Sequence, residues 1–519
     1  MKPCVVNIIN FVRAVEPRNK KLDLLEPVKE QLKLQKKYNF PFTFLLQYDT
    51  LKSKEFIDLF EEENENIELG LWLEMVQSLV ENVGIKWNGR PGFSWDYHVD
   101  PDFLIAYHKE QRKRLIDEAM MQFFRVFGHF PKAVGSWMLD SYSMNYLSSA
   151  YKIDAFCICR EQYGTDGYTL WGGYYNQGYF PSKYNMLHPA QSDTMQLFTP
   201  VFRMLGVDPI YEYDSGLKED LSRDDVRKQI YTFEPIWKTG KDSEWVDWYF
   251  NDVVKNESMS LPYVQIGQEN SFGWDSMKDG YLMQMEKLKQ FNEEGIVKIE
   301  NLSTTGRRFK EEYRKSPATA MVALKDWKNE GHQTAWYYNR NFRINLMVSK
   351  DKTWIRDIQL FDENYMDPHF IVPATEETAG YFALPIIDGY LWSGNGKRAG
   401  IYMIDALTGD DIKCKIIDTA KDNDNLVLNV ILDGKPGKII FSDKLIEVVC
   451  PDIEIAWSWQ ANIAENTTVK CYNNSMLTFK NNNFSYYLKA KCVSENRDGS
   501  YTLLDKKLEF SISKSNGLN

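Results

Sequence analysis

Two acidic residues stand just behind apolar runs in this sequence: Asp140 after AVGSWML (133–139) and Glu269 after LPYVQIG (261–267). Glycosidic bond cleavage uses such a pair. One carboxylate attacks the anomeric carbon or activates water, and the other protonates the leaving oxygen. A separation near ~5 Å gives retention and ~6.5–9.5 Å gives inversion. The following Phe272-Gly273-Trp274 offers Glu269 an aromatic wall, and a low-dielectric wall raises a carboxyl pKa toward that of a general acid. Asp140 also precedes a helical stretch that an Asp could cap, but Ser141 can serve there. Asp140 and Glu269 are therefore expected as the catalytic pair.

Other acids follow apolar runs in the same way: Glu16, Asp49, Glu74, Glu161 and Asp166. The segment 160–178 mixes glycines, rings and hydrogen-bonding groups, with Arg160, Glu161, Tyr163, Asp166 and Trp171 among them. A loop of that length is usually functional. Its glycines do not have the spacing of a phosphate-binding fingerprint. Trp95 and His98 (WDYH), Trp137 and Trp274 complete the expected substrate-binding set. Aromatics reach 14%, with 15 Trp, 30 Tyr and 29 Phe, and their faces stack on the C–H faces of sugars. The six histidines form no HxH or HxxxH pair and the seven cysteines no CxxC, so neither a metal site nor a cofactor is expected. A net charge of −11 argues against nucleic acid, whose phosphates call for surplus Lys and Arg. A neutral carbohydrate fits that balance. No apolar run approaches the ~20 residues of a membrane span. The chain opens without the features of a signal peptide. It is expected in the cytoplasm, or in the periplasm or outside the cell if a leader has been removed. Oligomeric state is not legible.

The elements that would position these residues alternate. Strand-like runs at 4–11 (CVVNIINF), 41–48, 67–73, 133–139, 153–159, 197–205, 261–267 and 296–300 are separated by helical stretches at 24–37, 53–63, 101–127 and 143–151. Repeated strand–helix units imply parallel strands with right-handed crossovers. The α/β class expected is a (β/α)7–8 barrel over 1–330, with its chemistry at the C-terminal strand ends. Shorter β-like runs (336–348, 354–361, 371–372) suggest a β-rich connecting region over 331–390. Alternating strands with Asp433-Gly434 and Asp498-Gly499 turns suggest a β-sandwich over 391–519.

The stretch 124–160 (FRVFGHFPKAVGSWMLDSYSMNYLSSAYKIDAFCICR) and the segment LGLWLE at 69–74 resemble the polysaccharide deacetylase-like (NodB-type) barrels and their relatives, glycoside hydrolase families 57 and 38. The resemblance covers about residues 1–320, and an appended β-rich domain accords with those families. It implies a nucleophile after the fourth strand and an acid after the seventh, as in family 57, which would make Asp140 nucleophile and Glu269 acid/base. That family's nucleophile is a Glu. Metal-dependent deacetylases carry an Asp-Asp pair after the first strand and His-xxx-His after the third. Here those places hold Phe11-Val12-Arg13 and Trp72-Leu73-Glu74. The zinc-binding His-x-Asp of family 38 is missing too. The expected activity is a metal-independent glycoside hydrolase acting on an oligo- or polysaccharide. The alternatives are a metal-dependent carbohydrate deacetylase-like hydrolase, a non-catalytic carbohydrate-binding protein and a glucanotransferase.

Overall fold

Val5, Ile9 and Phe11 alternate with Val6, Ile8 and Val12, and a strand so apolar on both faces must be covered on both. The computed structural model, which describes residues 2–61, 65–215, 217, 230–256, 258–394 and 396–512, covers it in that way. The strands of the first region are β1 (Cys4–Val12), β2 (Phe42–Leu46), β3 (Ile67–Trp72), β4 (Ala133–Gly135), β5 (Ala155–Ile158), β6 (Gln162–Thr165), β7 (Tyr168–Leu170), β8 (Gly178–Tyr179), β9 (Val201–Arg203), β10 (Tyr263–Ile266) and β11 (Val297–Ile299). One curled sheet runs β10-β1-β2-β3-β4-β5-β9-β8, with β11 also on β1. Its pairings from β10 to β9 are parallel. Val5, Ile9 and Phe11 turn inward with Leu45, Trp72, Phe202 and Tyr263. Val6, Ile8 and Val12 pack outward under the helices.

The expected closed barrel of seven or eight units is here a curled sheet with a seam. The edge of β9 that would meet β10 pairs instead with β8, antiparallel. The gap is bridged by Gly206 N–H donating to Gln265 O at 3.2 Å and by the Phe202 and Tyr263 rings, 4.8 Å apart.

The helical stretch expected over 101–127 is broken. A four-residue helix Val99–Asp102 is followed by a 3-10 turn, Leu104–Ala106, and the long helix starts at Lys109. His108 and Gln111 form a reciprocal capping box that sets this start. The chain before it is thereby free to fold over the sheet's rim.

The second region contributes β12 (Thr319–Ala323), β13 (Gln333–Tyr338), β14 (Phe342–Val348), β15 (Thr353–Leu360), β16 (Ala379–Tyr381), β17 (Leu384–Asp388) and β18 (Gly400–Asp405). Strands β12-β13-β14-β15-β18 continue antiparallel into Ile455–Gln460, Tyr501–Leu504 and Cys492–Glu495. A second sheet of eight strands runs between Cys414–Asp422 and Thr467–Tyr472. The two sheets pack through Tyr337–Phe441, Phe342–Phe510 and Trp459–Phe479, with ring centroids 5.2–6.2 Å apart. The residues between 331 and 390 thus supply β13, β14, β15 and β17 to the same sheet as later strands. Ile371 and Val372, expected as a strand, are an exposed bend.

Strand Asn425–Leu432 alternates buried and half-buried residues, as a sheet with one wet face should. All of β15 is buried, including Arg356, Asp357 and Gln359, because the loops of the first region cover it. Arg343 on β14 is bidentate to Asp357 (2.8 and 2.9 Å) and donates Nη2 to Glu161 at 2.7 Å. Trp336 stacks on Tyr175 at 3.9 Å. Strand β16 adds in parallel to β7, so the second region buttresses the loop that follows β5.

Candidate active site

The chain leaves each parallel strand at the same end of the sheet. Arg13 follows β1, Glu74 β3, Trp137 β4, Cys159 and Arg160 β5, Leu205 β9, and Glu269 β10. These residues converge on a cavity of about 370 Å³, a size usual for small-molecule sites. The Trp95–Phe103 segment, set free by the late start of the long helix, closes one side with Trp95, Tyr97, Asp102 and Phe103. Tyr168, Glu234, Trp237 and Phe272 complete much of the rest.

Arg13 is the centre of the site's charge. Its guanidinium is buried and makes two hydrogen bonds to Glu74, at 3.0 and 2.7 Å. It stands 2.9 Å from Glu269 Oε2. The Trp95 ring centroid lies 4.1 Å from the Arg13 guanidinium and 4.7 Å from that of Arg18. Burial works against the Arg13 charge, but Glu269 and Glu74 outweigh it and hold the group protonated. The Arg13–Glu269 contact is close without being aligned as a hydrogen bond, so Oε2 has charge compensation but no hydrogen-bond donor. Its other oxygen accepts from Ser271 Oγ at 2.6 Å. Burial raises the Glu269 pKa above the ordinary carboxylate value, and Arg13 offsets only part of that rise.

Two further carboxyls face the cavity with no cation at ion-pair distance among the described residues. Asp102 accepts from Trp95 Nε1 at 3.0 Å. Burial and the Glu74 charge raise it well above the usual carboxylate range. Glu234 accepts from Trp237 Nε1 at 3.1 Å. Burial pushes it to about 7, against the opposing pull of Arg160. A protonatable acid near neutrality and a carboxylate beside a guanidinium thus share one cavity, which is the division of labour general acid catalysis requires. Among the described residues no three His, Cys, Asp or Glu side chains converge as a metal-ligand set.

A wider cleft of about 900 Å³, between Pro262, Tyr313 and Tyr337, lies where β10 and β12 begin. Its Glu312 is ion-paired with Lys2 and held below its ordinary range. The smaller cavity is the one lined by Asp102, Glu234 and Glu269.

Of the residues expected from sequence, Glu16, Glu74, Trp95, Trp137, Arg160, Asp166 and Glu269 line this cavity. Seven do not. Asp140 corrects the expected pair: it caps helix Ser141–Tyr151, accepting from Ser143 N at 3.1 Å and Ser143 Oγ at 2.6 Å, and it pairs with buried Arg112 at 2.9 Å. Ser141, to which capping was assigned, is the first helical residue and gives its N–H to Asp367. Asp49 is held by Ser78 Oγ beside a short 3-10 turn. Glu161 is taken up by Arg343, and Trp171 donates to Asp388 at 2.8 Å. Tyr163 packs toward Tyr390 with centroids 6.0 Å apart. His98 stands 3.9 Å from Asp96 and Glu377. Trp274 begins the helix Trp274–Glu293 with its ring toward Tyr281.

Sequence reasoning missed Asp102, Glu234 and the role of Arg13. Asp102 was read into a long helix, and its signal was Trp95 seven residues before it. Glu234 stands outside any strand end. Arg13 directly follows β1, and its position at the rim was legible.

No family model matches the chain, and no curated protein does. Two solved structures resemble it in part. One, from Parabacteroides distasonis and provisionally named a glycoside hydrolase/deacetylase, has a TM-score of 0.47 at 12% identity, covering 74% of this chain and 90% of that one. The other, from Mycobacterium smegmatis and provisionally named a polysaccharide deacetylase, has a TM-score of 0.37 at 12% identity, covering 60% and 91%. Both scores lie below 0.5, so the reading of this site rests on its own residues.

Proposed function

We propose that the chain is a metal-independent glycoside hydrolase, with Glu234 as proton donor and Glu269 as the opposing carboxylate. The observation that carries this reading is the convergence of these two groups, from opposite charge environments, on one aromatic-walled cavity at the C-terminal strand ends. Glu234 holds its proton near neutral pH and gives it to the glycosidic oxygen as the bond to the anomeric carbon breaks. Glu269, its charge compensated by Arg13 at 2.9 Å, attacks that carbon or takes a proton from the attacking water. Arg13 supplies positive charge between Glu74 and Glu269, so turnover is expected to withstand chelation. Trp137 and Phe272 offer apolar ring surface to the sugar. Hydrolysis of a panel of aryl glycosides and oligosaccharides after EDTA treatment tests the reading. It should proceed in the wild type and collapse in Glu269→Gln and Glu234→Gln. Undiminished rates in both variants would remove the proposed roles. Acetate release that depends on added metal would favour a deacetylase instead.

A further inference from the structure

The guanidiniums lining the cavity are all matched: Arg13 by Glu74 and Glu269, Arg18 by Glu16, and Arg160 by Glu212. Asp102 is not. It is 1% exposed, yet its one hydrogen-bond donor among the described residues is the Trp95 indole, which takes Oδ1. Among the described residues no hydrogen bond reaches Oδ2, and Asp102 lines the cavity. Phe103 and Tyr168, 5.4 Å apart edge to face, line the same wall. A buried carboxyl with no direct ion-pair partner among the described residues, bordered by rings, is an environment an alkylammonium suits, through a charge-assisted hydrogen bond and cation–π contact. A divalent metal would call for several anionic ligands together, and Glu74 and Glu269 are already held by Arg13.

We infer that the sugar taken by this site carries a free amino group, whose ammonium is received by Asp102 against the Phe103 and Tyr168 rings. This names the substrate class of the hydrolase proposed above and rests on that reading. An arriving ammonium favours the ionised form of Asp102, because a neighbouring cation offsets the burial and the Glu74 charge that raise its pKa. Glu234 remains free to act as proton donor.

The test is calorimetric binding of methyl glycosides to the full chain at pH 6, in gluco and galacto configuration, each as free amine, neutral parent sugar and N-acetyl derivative. The amines should bind about tenfold or more tightly than their neutral and acetylated counterparts, the scale of a hydrogen bond to a charged group. Asp102→Asn, which retains an acceptor for Trp95, should abolish that preference. A second measurement needs no variant. Repeating the titration in buffers of different ionisation enthalpy should show proton release for the amines and none for the neutral sugars. Equal affinities, a preference that survives Asp102→Asn, or binding without proton release would overturn the inference. Hydrolysis of neutral glycosides as efficiently as of amines would overturn it and leave the hydrolase reading standing. A preference for amines with no hydrolysis of any glycoside would count against the hydrolase reading alone.

Discussion

Arg13 and Arg343 are both buried and both held by two carboxylates, one pair at the rim of the curled sheet and the other between the two regions. Around Arg343 the guanidinium meets Glu161 and Asp357 in closed packing, and nearby Arg356 and Arg398 share Asp214. Around Arg13 the matched set opens onto a cavity where Asp102 and Glu234 have no direct ion pair among the described residues. A buried ion pair alone says little about function, since removing a partner is costly wherever the pair sits. Surplus acid facing open space is what separates a candidate site from a clamp.

This contrast can be broken or sharpened by substitution. The largest effect is expected at the rim: Glu269→Gln should lower kcat by ~10²–10⁴-fold while the folded state persists, as for loss of an acid–base group. A comparable drop in the melting midpoint would instead mark Glu269 as structural. Arg343→Met should do the reverse, costing on the order of 3–5 kcal/mol by stranding buried carboxylates. Denaturant midpoints would read this, with the specific rate of the remaining folded enzyme near that of the wild type. Asp140→Asn keeps an oxygen to accept from Ser143 N but withdraws the charge facing Arg112, so a loss of ~1–3 kcal/mol is expected with no change in kcat. A collapse of kcat there would restore Asp140 to the catalytic pair.

The smallest effects concern pH. Glu234 must be protonated to act as donor, so kcat should fall as pH rises through about 7. The Trp237 N–H stabilises the ionised form and lowers this pKa. Trp237→Phe should therefore move the alkaline limb of the kcat profile upward. A limb that stays in place would assign the titration to another group.

Much of the architecture was legible because each signal is local. Runs such as CVVNIINF and PFTFLLQY are apolar on both faces, which only a doubly covered strand tolerates, and β1 and β2 fall within one or two residues of these two runs. Glu74 and Glu269 were found by one rule, that an acid just past a parallel strand stands on a common rim. The same rule went astray at Asp140. Its position past β4 is real, but the helix that follows turns the carboxylate back onto Ser143. Sequence spacing cannot tell an inward from a capping rotamer. Asp102 and Glu234 escaped because they are carried by irregular segments, whose path follows no periodicity.

By itself, the sequence determined the order of strands and helices, the rim positions that follow them, and the aromatic and acidic stock available for chemistry. Each follows from hydrophobic periodicity and residue type along a few consecutive positions. Only the tertiary structure decided which acids kept a cation and which did not. Arg112 and Arg343 reach Asp140 and Glu161 across 28 and 182 residues. Asp102 and Glu234 meet Glu269 only where the sheet curls. The ionisation that chemistry depends on is set by burial and by neighbours distant in the chain, and both exist only once the fold has formed.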